Sequence, residues 1–116
     1  MPVVGLLPSY PQPMGTRLIC IAKYAGPAAY VQGGESLNAT SFFGGGSFDK
    51  VAGGASFNAN NSGNYNIGVR YPTGQAANNT TGGQTVNLVF TAANGTEAAN
   101  NTNLSGEYAW IEMIGG

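Results

Sequence analysis

Apolar and polar residues alternate with a period of two along the patterned stretches of this chain, and that restricts it to β-structure. In 84–91, Val86, Leu88 and Phe90 share one face, and Asn87, Val89 and Thr91 the other. In 65–71, Tyr65, Ile67, Val69 and Tyr71 oppose Asn66, Gly68 and Arg70. The run 107–114 is aromatic and β-branched and carries the one Trp, Trp110. Such residues suit a pleated, half-buried surface. The pair 84–91 and 107–114, joined by a small polar connection rich in turn residues, is expected at the centre of a β-sheet domain.

The remaining chain follows the same pattern. In 17–25, Leu18, Cys20 and Ala22 alternate with Ile19, Ile21 and Lys23. Both faces begin apolar, which predicts a strand covered on both sides. Tyr30 and Val31 predict a short strand, ended by the Gly33, Gly34 turn. Residues 36–43 fit one helical turn or an irregular stretch, with Ser36 or Asn38 as its cap. Phe48 and Val51 begin another strand, and 58–64 reads as a hairpin-type connection. Gly68 predicts a bulge or a close backbone approach. Residues 73–83 form a Gly, Asn and Thr loop. The expected fold is all-β: an antiparallel β-sandwich or jelly-roll-like barrel of about six to eight short strands.

Residues 1–15 form an extended Pro-rich arm ahead of a sandwich domain at 16–116. Pro2, Pro8, Pro11 and Pro13 fix φ and remove hydrogen-bond donors, which keeps the arm out of a central sheet position. Val3, Val4, Leu6, Leu7 and Tyr10 would be unfavourable in water. The arm therefore either folds back over its own domain or lies across a neighbouring subunit. These five are the candidate partner-binding residues.

Charge narrows the partners. Only 8% of the 116 residues are charged, four basic and five acidic, against about 25% in ordinary domains. Scattered singly, they form no basic patch, which argues against nucleic-acid binding. A surface of amides and hydroxyls desolvates at lower cost than a charged one. It suits close packing against other proteins or binding of neutral polar ligands. The one cysteine, Cys20, lies in an apolar run and reads as a small buried hydrophobe. No apolar run is long enough to span a membrane and no signal-peptide pattern opens the chain, so a reducing cytoplasm is the expected site of synthesis.

Little chemistry is on offer. With no His there is no Ser–His arrangement. One Cys cannot supply a zinc site. Glu107 with Glu112 or Glu97 would be the carboxylate pair of a glycosidase, but isolated surface carboxylates are the simpler reading. Glu97 alone is thin for calcium. The Gly44–Gly46 triplet lacks the Lys and Ser/Thr of a phosphate loop. No catalytic, cofactor-binding or metal-binding residue is expected. Asn-x-Ser/Thr triplets begin at Asn38, Asn60, Asn78, Asn79, Asn94, Asn100 and Asn103; without a secretory signal they reflect composition. Tyr30, Phe42, Phe43, Tyr65, Tyr71, Tyr108 and Trp110 would stack on sugars or fill a partner's pocket if exposed, but Trp110 is expected in the core.

The order of Tyr30–Leu37, Phe48–Val51, Asn64–Tyr71 and a last strand ending at Ile114 and two glycines resembles small head proteins of tailed bacteriophages that act as cement or decoration proteins. The likeness covers roughly residues 17–116. It implies a β-sandwich or jelly-roll-like domain, commonly a homotrimer, on the outer capsid surface and bound to the major capsid protein. The arm would then strap onto a capsid subunit or a neighbouring cement protein. The runner-up from the residues alone is a carbohydrate- or receptor-binding β-sandwich of fibre or adhesin type.

Overall fold

The computed structural model describes residues 3–6, 11–43, 47–60, 65–70 and 85–116. They form eight strands and one helical turn: β1 (Val3–Leu6), β2 (Gln12–Met14), β3 (Arg17–Ala25), β4 (Glu35–Asn38), α1 (Thr40–Phe43), β5 (Phe48–Ala52), β6 (Asn66–Arg70), β7 (Thr85–Thr91) and β8 (Tyr108–Gly115). All pairings are antiparallel. One sheet runs β1-β3-β8-β5, with β2 also paired to β3; the other runs β4-β7-β6. The all-β sandwich expected from the alternation is the fold observed.

The two C-terminal strands are both central, but in different sheets. β8 lies between β3 and β5, while β7 lies between β4 and β6. The chain crosses between sheets along 92–107, where Ala98 and Leu104 are buried. Val86, Leu88 and Phe90 are fully buried, as their alternation predicts. They face Cys20, Ala22 and Tyr24 of β3 and Ala109, Ile111 and Met113 of β8 across the core. Cys20 is the small buried hydrophobe expected, and burial pushes its thiol pKa up.

Two aromatic clusters fill the core. Phe42, Phe43 and Phe48 pack with ring centroids 6.0 to 6.5 Å apart. Phe90 stands against Tyr30 (5.8 Å), Tyr65 (6.2 Å) and Tyr24 (6.3 Å). Edge-to-face and tilted contacts of this kind add to the stabilisation from burial.

Several local expectations change. Proline at a sheet edge leaves the ladder intact, because its missing donor would face outward. β1 and β2 accordingly occupy the outer edge of β3, with Pro13 opposite Leu18. The described parts of the arm thus follow the first of its two courses, along their own sheet. Leu7 and Tyr10 lie outside the described residues, as does Tyr71. Tyr30 and Val31 form no strand: Tyr30 is fully buried, and Val31 is 60% exposed at a turn. Residues 36–43 divide into the end of β4 and the helical turn α1. Asn38 Oδ1 leads into that turn by accepting from the Thr40 amide (3.0 Å) and hydroxyl (2.8 Å). Gly68 marks no bulge, since the β6–β7 register runs unbroken from Asn66 to Arg70.

Gly115 is one of the glycines that packing demands. A Cβ there would collide with the Ser47 carbonyl oxygen and come within 3.0 Å of the Phe43 ring. Ser47 cannot retreat, because its amide and carbonyl both bond to Gly116 (3.1 and 3.2 Å). Gly115→Ala is expected to cost about 2 kcal/mol through overpacking, read as a lower melting temperature. Gly106→Ala, with open space around its Cβ, should leave melting unchanged.

Candidate functional site

The register of β3 on β8 builds an outward face of unusual character. Ile19 pairs with Ile114, Ile21 with Glu112, Lys23 with Trp110, and Ala25 with Tyr108. These eight residues alternate with the buried positions, so they point away from the core. All are half-buried except Trp110, which is 46% exposed. An antiparallel sheet with one face in water usually carries polar residues there. Here six of the eight are apolar. Both expectations about burial are thereby corrected. β3 is covered by the core on one side only, and Trp110 is outside the core because Ala109, Ile111 and Met113 hold the inward positions.

The polar groups of this face sit at defined places. Phe57 joins the sheet beside Tyr108 through a pair of backbone hydrogen bonds (2.7 and 2.8 Å). The Lys23 ammonium lies over both rings, 4.7 Å from the Tyr108 centroid and 5.8 Å from that of Phe57. Such placement suits a cation on a partly desolvated surface. On the other side of Trp110, Glu112 has no hydrogen-bond or ion-pair partner among the described residues. At the far end Arg17 grips Asp49 with Nε and Nη2 (2.5 and 2.9 Å), spanning the end of β8.

The other carboxylates hold loops in place. Glu97 Oε2 accepts from the Tyr30 hydroxyl and the Gly33 amide, both at 2.7 Å. Those bonds, the amide first, hold the Glu97 carboxyl below its usual range. Burial, then the bond to Glu97, pushes the Tyr30 phenol up to about 12. Tyr30 also accepts from the Phe90 amide (3.2 Å), so it ties the 92–107 crossover to the C-terminal end of β7. Glu107 accepts from Ser56 Oγ and Asn58 Nδ2, both at 2.7 Å, and so fixes the segment that carries Phe57. Glu97, Glu107 and Glu112 thus serve three different places. Among the described residues no three His, Cys, Asp or Glu side chains converge as a metal site.

Three of the Asn-x-Ser/Thr triplets have a structural use that composition alone concealed. Asn38, Asn94 and Asn103 each accept the amide of the Ser or Thr two residues on, at 3.0 Å. Asn103 also accepts the Ser105 hydroxyl (2.7 Å). Each triplet closes a turn by satisfying backbone groups that a loop leaves open. Asn78 and Asn79 lie outside the described residues.

Of the candidate partner-binding residues, Val3, Val4 and Leu6 fall in edge strand β1. The outward sheet face centred on Trp110 escaped the sequence reading. Its signal was the parity of Lys23 and Glu112, because a charged residue marks the solvent side of a strand whose two faces are both apolar. Comparison with family models, curated proteins and solved structures finds no match.

Proposed function

We propose that this chain is a structural virion protein, a capsid cement or decoration protein that binds the outer surface of a shell of major capsid protein and stabilises it by bridging subunits. The observation that supports this most is the outward face of the β3–β8 sheet, apolar and centred on a half-exposed Trp110. Exposed apolar surface of that kind marks a contact with another molecule. Ile19, Ile21 and Ile114 call for apolar partner side chains rather than a substrate. The carboxylates Asp49, Glu97 and Glu107 are engaged in fixing shape. In this reading the rim strand β1 and the rest of the arm, with Val3, Val4, Leu6, Leu7 and Tyr10, meet the major capsid protein, and no cofactor, nucleic acid or membrane is needed. Many weak contacts over one shell add up through multivalency, and few charges limit repulsion between neighbouring copies.

Purified protein mixed with expanded empty capsids should co-sediment and raise the melting temperature of the shells. Failure of both would overturn the proposal. The second reading, a carbohydrate- or receptor-binding module, draws on the exposed Trp110 ring beside Tyr108. Silence on a glycan array, together with shell binding, would dispose of it.

A further inference from the structure

We infer that the outward β3–β8 face pairs with the same face of a second copy of this chain, about a two-fold axis through Trp110. The inference rests on the reading of the chain as an assembly protein and names the partner of that face. Its first support is the order of groups along β8. The Lys23 ammonium sits over Tyr108, 4.7 Å from the ring centroid. Trp110 follows two residues on, and Glu112, unpaired among the described residues, two residues beyond that. Residues two apart on a strand are about 6.6 Å apart. Positive charge, indole and negative charge therefore lie in line, with the indole midway.

A face docked on a copy of itself about a two-fold axis that lies across the strands reverses its order along them. The Lys23 end of one copy then lies over the Glu112 end of the other, twice, and the two Trp110 rings meet at the centre. A partner of different sequence would more simply be met by a face of one sign. This face carries both signs on either side of Trp110, Lys23 toward one end and Glu112 toward the other, with exposed Lys50 beyond Glu112 beside Ile114. A buried aromatic centre within a polar rim is the usual anatomy of a stable contact. Strands crossing nearly antiparallel, offset by the sheet twist, match aligned sheet packing.

The test is the mass of the full chain by light scattering across a dilution series. Twice 11.8 kDa is expected, in place of the homotrimer that the family resemblance implies. Trp110 emission should shift to longer wavelength as the pair dissociates. Trp110→Ala should weaken pairing about thirtyfold or more. Lys23→Glu and Glu112→Lys should each weaken it at least about tenfold, since like charges then meet at two places. The double variant Lys23→Glu with Glu112→Lys should restore it. Circular dichroism checks the folding of each variant. Should a variant misfold, the mass and emission of the unaltered chain decide the matter. A monomer at all concentrations, a trimer, or a folded double variant that stays monomeric would each overturn the inference. Shell co-sedimentation by a chain that proves monomeric would sink the pairing and leave the cement reading standing. A dimer that ignores shells would do the reverse.

Discussion

Phe90→Ala is expected to remove about 4 kcal/mol of stability, the usual cost of emptying an aromatic site in a tight core. Phe90 is fully buried and touches the rings of Tyr24, Tyr30 and Tyr65. No small shift refills that space. Tyr30 is tied to Glu97, and Tyr24 belongs to β3, which is held along its length by β8. In a domain of this size the loss corresponds to a fall in melting temperature of roughly 15 °C. Trp110→Ala, measured at a dilution where the chain is monomeric, is the control. It removes a larger ring from a half-exposed position and should change stability by only about 0.5 kcal/mol. Equal losses at the two sites would mean that Trp110, too, is held within the core.

The contrast between these two aromatics shows what the sequence can and cannot convey. Phe90 sits in 84–91, where Asn87 and Thr91 mark the opposite side and the phase is plain. In 107–114 both parities are apolar: Ala109, Ile111 and Met113 against Tyr108, Trp110 and Ile114. Size argues for burying Trp110, but parity with Glu112 decides the phase and sets Ala109, Ile111 and Met113 toward the core. The arm is legible only as a non-central segment. Proline is excluded from central strands, not from edges, so β1 and β2 fit where only one side of the backbone pairs. The short strand expected at Tyr30 and Val31 is absent, and the Tyr30 hydroxyl is instead held by Glu97, 67 residues away. No local pattern records a contact of that range. The loops were legible only as loops; that their Asn residues close turns follows from side-chain geometry.

Glu97→Ala should cost about 2–3 kcal/mol at neutral pH. The substitution leaves the buried Tyr30 hydroxyl and the Gly33 amide without their shared acceptor, and each unsatisfied group carries a desolvation penalty of about 1–3 kcal/mol, lessened where water can reach it. The same bonds set the acid response. Folding lowers the Glu97 pKa from an ordinary value of 4.5, so the unfolded chain takes up its proton first as pH falls. The contribution is therefore complete above about pH 4.5 and is lost as pH drops through the lower folded value. Tyr30 runs the opposite way. Its phenol is raised from 10.0 to about 12, so its contribution holds below pH 10 and declines between pH 10 and 12. Chemical denaturation from pH 2 to 8 checks the acid side. Glu97→Gln is the informative variant, because one amide oxygen can still accept both donors. It should keep most of the neutral-pH stability while losing the share of acid sensitivity that belongs to this carboxyl. If Glu97→Gln instead falls with acid as steeply as the unaltered chain, the carboxylate is not what anchors Tyr30 to the crossover.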